Sequence, residues 1–178
     1  MIAFDTSTIV LTLDPDKARP PTDPATGLLL TNCKRRVDYL ISKLDQANEG
    51  ILIPTPILSE YLVRAGPNRN EYIKKFLSSK NFVVGAFDQR AAIELALLND
   101  PDLNAGVVLD DKTTWAKIKF DRQIVSIAKV HGVSCIYAGD NGLATCARAN
   151  GIRAVMTWEL PEPPEAPEDK QDVLPFPK

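Results

Sequence analysis

The stretch Phe120-Asp121-Arg122-Gln123-Ile124-Val125-Ser126-Ile127-Ala128-Lys129-Val130-His131-Gly132-Val133-Ser134-Cys135-Ile136-Tyr137-Ala138-Gly139-Asp140 reads as a helix, a stop, a strand and an acid. Ile124, Ile127, Ala128 and His131 recur at helical spacing, and Gly132 is the residue that ends such a helix. Val133 to Tyr137 is short and apolar, as a buried parallel strand is. Asp140 then caps a helix to Asn150. A helix that feeds a buried strand, followed by another capped helix, is the repeating unit of a parallel α/β sheet.

The same alternation runs through the rest of the chain. Met1 to Phe4 reads as a strand ending at Asp5, and Ile51 to Ile53, Phe82 to Val84 and Arg153 to Val155 read as further strands. Four prolines and three aspartates make residues 14 to 26 a loop. Thr31 or Asn32 caps a helix to about Ala47, with Val37, Leu40, Ile41 and Leu44 on one face. Thr55 followed by Pro56 predicts a cap and first helical position for the helix that carries Glu60. Further helices are expected over about Asn70 to Ser78 and from Asp88 to Leu98, then a loop from Pro101 to Asp111 and a helical or extended segment from about Lys112. Residues 1 to 158 form one domain on this reading. From 159 to 178, six prolines and no periodicity predict an acidic tail.

With 178 residues, 44% of them hydrophobic, one sizeable core is available but hardly two. The longest apolar runs, Gly27 to Leu30 and Gly50 to Ile53, fall far short of the roughly 20 residues a membrane helix needs. An acid already at Asp5 is unlike a secretory signal, so a cytoplasmic protein without membrane contact is expected. Cys33, Cys135 and Cys146 lack paired spacing and read as reduced core thiols. His131 is the only histidine, which excludes two-histidine acid/base nucleases and HExxH hydrolases. The net charge of -2 is unevenly spread: residues 159 to 178 hold six acids and two bases, leaving 19 bases against 17 acids before them.

A hydrolase built from this chain must therefore rely on carboxylates. Residues just after parallel strands converge at one sheet edge, and Asp5 and Asp140 hold that position. Asp121 falls in line with the buried stripe of its helix, where a solvated acid does not belong. Clustered carboxylates repel, and hard oxygen donors favour Mg²⁺ or Mn²⁺ as the compensating cation. Taken singly, each acid has an ordinary explanation: Asp5 as a turn residue, Asp140 as a helix cap, Glu60 as a partner for Arg64, Asp121 as a cap. Taken jointly, the acids favour a metal-dependent site.

The four acids in their contexts resemble the acidic motifs of PIN domains: Asp5 in Ile2-Ala3-Phe4-Asp5-Thr6-Ser7, Glu60 in Ser59-Glu60-Tyr61, Asp121 in Phe120-Asp121-Arg122-Gln123-Ile124-Val125-Ser126-Ile127-Ala128, and Asp140 after the strand. The likeness covers about residues 1 to 156 and is greatest to the ribonuclease toxins of VapBC-type toxin-antitoxin systems. It implies a three-layer α/β/α sandwich with four or five parallel strands, Mg²⁺ or Mn²⁺ on Asp5, Glu60, Asp121 and Asp140, and endonucleolytic cleavage of RNA. It further implies a homodimer held inactive by a cognate antitoxin, with Ser7 supporting the first acid and Asn141 beside the fourth. Ala138 and Gly139 depart from the pattern, since many relatives carry a hydroxyl and another acid there. One metal is then a safer expectation than two.

Lys112, Lys117, Lys119 and Arg122 cluster near Asp121, and Lys119 and Arg122 are the candidates for phosphate contacts. Trp115 and Trp158 read as packing residues rather than base-stacking platforms. Two competing readings remain: a catalytically silent PIN-like module that binds RNA or protein, and an actin-like phosphate turn at Asp5-Thr6-Ser7-Thr8. The second lacks the glycine-rich turns that such a lobe needs.

Overall fold

A computed structural model describes residues 1–99 and 115–164. Five strands, β1 (Ile2–Phe4), β2 (Ile51–Pro54), β3 (Phe82–Gly85), β4 (Cys135–Ala138) and β5 (Arg153–Met156), form one sheet in the order β3-β2-β1-β4-β5. Every pairing is parallel, with Ile2 opposite both Ile51 and Cys135. The helices are α1 (Thr6–Leu13), α2 (Cys33–Gln46), α3 (Thr55–Ala65), α4 (Arg69–Ser78), α5 (Gln89–Leu98), α6 (Trp115–Val130) and α7 (Asn141–Ala149). This is the expected α/β/α sandwich, with the larger of the two anticipated strand numbers.

Parallel sheets survive only when both faces are covered. Ala3, Phe4, Leu52, Ile53 and Ile136 are accordingly buried, and Val37 of α2 and Val125, Ile127 and Ala128 of α6 pack against them. Tyr61, Tyr72, Phe76 and Phe82 add a run of edge-to-face ring contacts between α3, α4 and β3. The strand order reverses direction between β1 and β4, and in such sheets the crevice beyond the carboxyl ends at that reversal is where ligands bind. Asp5 and Asp140 close those two strands.

Several local expectations change. Thr6–Leu13, left without an assignment by sequence pattern, is a helix that Asp5 caps through Thr8 N–H at 2.7 Å. Proline 54, not Thr55, stands at the cap of α3 and makes no side-chain cap bond; the Thr55 hydroxyl instead accepts from the Phe87 amide, pinning the end of β3. Asn32 does precede α2, but in the left-handed region at φ 58, with no side-chain cap bond. The 14–26 loop contains a 3-10 turn, Pro15–Lys17, and a bridge between Thr22 and Leu29.

Packed chain also continues past the expected boundary at 158. Leu160 is buried, and Arg36 of α2 donates to the Leu160 carbonyl and pairs with Glu162 at 2.7 Å. The expected loop from Pro101 to Asp111, Lys112 and most of the acidic tail lie outside the described residues. Cys33, Cys135 and Cys146 are free thiols. Among the described residues no helix is long and apolar enough to cross a membrane.

Candidate active site

Asp5 is built into the sheet edge from both sides. Its N–H continues the β1–β4 pairing to the Tyr137 carbonyl at 3.0 Å. One carboxylate oxygen accepts from Thr8 N–H, and the other accepts from Gly139 N–H at 2.7 Å. The group is thus a helix cap and a clamp across the reversal point at once, so the ordinary and the functional reading of Asp5 are compatible. Ser7 follows at the exposed surface of α1 and fills the space beside Gly139: a Cβ on Gly139 would stand 2.8 Å from the Ser7 Cβ. That close approach is the physical reason for glycine where the sequence departs from the PIN-like pattern.

Asp140 also combines both readings. Its Oδ1 accepts from Gly142 N–H at 2.7 Å and Leu143 N–H at 3.2 Å, capping α7, while its Oδ2 accepts from the Lys117 ammonium at 2.7 Å. Asp121, on α6, is only 9% exposed. A Cβ on Gly142 would lie 2.9 Å from Asp140 Oδ1 and 3.0 Å from Asp121 Oδ2, so the two carboxylates sit side by side over a glycine that leaves them room. Glu60, on α3, accepts from the Thr6 hydroxyl at 2.6 Å and pairs with Arg64 at 2.7 Å.

The electrostatics follow from these partners. Burial pushes Asp121 up to about 6, and the charges of Asp140, Asp5 and Glu60 add to the rise while Lys117 opposes it. Burial likewise raises Asp5 despite its two amide donors. Burial would raise Asp140 too, but the Lys117 hydrogen bond and the capping amides outweigh it and hold that carboxyl below its ordinary value. Lys117 is raised in return by Asp140, against its own desolvation.

Asp121 and Asp140 meet over Gly142, and Asp5 and Glu60 are near enough to act on Asp121 through their charges. Among the described residues, no three His, Cys, Asp or Glu side chains are grouped closely enough to enclose a metal ion. The donor set still fits Mg²⁺, which keeps several waters and takes one or two carboxylates rather than a protein cage; the adjacent Asp121 and Asp140 oxygens offer that pair. Of the basic cluster expected near Asp121, Lys117 rather than Lys119 reaches the acids, in keeping with its i,i+4 spacing to Asp121. Lys119 is exposed, and Arg122 donates to Asn99 Oδ1. Asn141 is exposed at the first residue of α7.

No family model matches the chain, and no curated protein does. Among solved structures, a chain of VapBC2 from Rickettsia felis, crystallised bound to a DNA fragment from its promoter, superposes with a TM-score of 0.54. The alignment covers 88% of this chain and 98% of that one at 12% identity. The fold is shared. At that identity the likeness speaks for the PIN-like sandwich, and the site rests on the side chains described above.

Proposed function

We propose that this protein is a metal-dependent endoribonuclease of the VapC kind, the toxin of a toxin-antitoxin pair that acts as a homodimer. The observation that carries the reading is the pairing of buried Asp121 with Asp140 over Gly142, at the sheet reversal that Asp5 clamps. Carboxylates kept together at a cost in ionisation are an arrangement that folding alone does not favour.

In this mechanism Asp121 and Asp140 would hold Mg²⁺ or Mn²⁺, with Asp5 and Glu60 as the further acids of the set, held in place by Thr8, Gly139 and Thr6. The cation, when bound, supplies a Lewis acid that activates water and neutralises charge growing on the phosphodiester. Lys117 gives up its bond to Asp140 and offers its ammonium to a phosphate oxygen. Lys119, two residues along α6, extends that cationic face. The VapBC2 neighbour is a complex of two kinds of chain on DNA, which supports an antitoxin partner here.

Purified protein incubated with structured and single-stranded RNA should cleave internally with Mg²⁺ or Mn²⁺ and not with EDTA. Asp5→Asn should lower the rate at least ~10²-fold, about 2.7 kcal/mol of transition-state stabilisation. One observation favours a second reading, a silent RNA- or protein-binding module: the Lys117 ammonium already neutralises Asp140. Absence of any cleavage that depends on both metal and Asp5 decides for that module.

A further inference from the structure

A pocket of about 500 Å³ opens between α1, the Pro15–Lys17 turn and α3. That volume is within the ~300–1,000 Å³ range of small-molecule and cofactor sites. Ser7 lines it, and the same side chain packs on Gly139 at the acid site, so the two are contiguous. Arg64, the partner of Glu60, lines it as well.

The wall chemistry is that of a nucleotide site. Lys17, Arg19 and Arg64 contribute three cations against the one lining carboxylate of Asp14, which accepts from Lys17 at 3.2 Å. Tyr61 is 1% exposed, and burial first, then its neighbours Tyr72 and Asp14, push that phenol far above its ordinary range. Asp14 is thus the acceptor that the wall offers to a ligand.

We propose that the pocket holds one nucleotide of a single-stranded RNA, next to the phosphodiester at the acid site. The backbone phosphate lies against Arg19 and Lys17, and an amino group on the base meets Asp14. A carboxylate accepts from the amino groups of adenine, cytosine or guanine, whereas uracil has no amino group and only one imide N–H set between two carbonyls. The inference rests on the nuclease reading for its substrate class and adds a specificity site to it.

The test uses the full chain in EDTA and fluorescein-labelled hexamers of adenylate, cytidylate and uridylate, read by anisotropy. The adenylate and cytidylate hexamers should bind roughly 5-fold or more tighter than uridylate. Lys17→Ala with Arg19→Ala should weaken all three about tenfold, and Asp14→Asn should erase the preference. Equal affinity for the three hexamers, or variants that bind like the parent, overturns the proposal. So does displacement of the RNA by inorganic phosphate as effectively as by AMP, which reduces the pocket to an anion site. Metal-dependent cleavage alongside unaffected binding in the variants removes the pocket and leaves the nuclease. Pocket-dependent binding without any cleavage does the reverse.

Discussion

The acids that follow strands and the acids that sit within helices are held in different ways. Asp5 and Asp140 each accept from two backbone amides, because a residue leaving a strand and opening a helix faces unpaired N–H groups. Asp121, inside α6, can draw on no such free amides, since those of a helix interior are already spent on the preceding turn. Its ionised form depends on Lys117 or an added cation, and burial pushes it up to about 6. The strand-end acids thus satisfy amides that folding leaves unpaired, which Asp121 does not, although burial raises Asp5 as it raises Asp121.

Breaking the comparison at Asp5 and Asp121 should give the largest effects, and of opposite sign in stability. Asp121→Asn should abolish cleavage to the same extent as Asp5→Asn, yet raise the melting temperature of the metal-free protein at pH 7. A carboxyl raised on folding contributes stability that is fully present below about pH 4 and lost as pH rises through about 6. Two units correspond to about 3 kcal/mol, so thermal unfolding from pH 4 to 7 should show parent and Asp121→Asn converging at the acid end. A parent no less stable at pH 7 than the variant would contradict the contrast.

Asp5→Ala should instead destabilise by roughly 3 kcal/mol, because the Thr8 and Gly139 amides lose their acceptor; since burial raises this carboxyl on folding, the loss is greatest below about pH 4 and shrinks as pH rises. Denaturant melts in EDTA measure it apart from cleavage. Gly142→Ala comes next: a methyl 3.0 Å or less from both carboxylates forces them apart. Cleavage should fall about tenfold, or ~1.4 kcal/mol, with little change in unfolding midpoint. Smallest is Lys117→Met, which removes a half-exposed ion pair worth roughly 0.5–1 kcal/mol. Its informative readout is a larger stabilisation by added Mg²⁺ than the parent shows.

Much of this was legible from the chain alone, for a physical reason that also explains the failures. Strands buried on both faces are apolar runs, and Asp5 and Asp140 were placed by following those runs to their ends. Asp121 was found because a 3.6-residue period puts it on the buried stripe of α6. Helix α1 was missed because Thr6, Thr8, Ile9, Val10 and Thr12 are β-branched and carry no helical period; the cap from Asp5 and burial on the sheet override propensity. Thr55 looked like a cap because local sequence cannot tell that its hydroxyl is claimed by Phe87, 32 residues away. Gly142 escaped, and Lys117 was ranked behind Lys119, for a related reason: their roles are set by side chains on a neighbouring element.

The clamp from Asp5 to the Gly139 amide closes a separation of 134 residues. On a ribosome, the first acid therefore emerges long before the segment that completes the site with Asp121 and Asp140. A chain released early, or still being made, holds an incomplete carboxylate set. The order of strands in the sheet thus delays completion of the site until synthesis has passed Asp140.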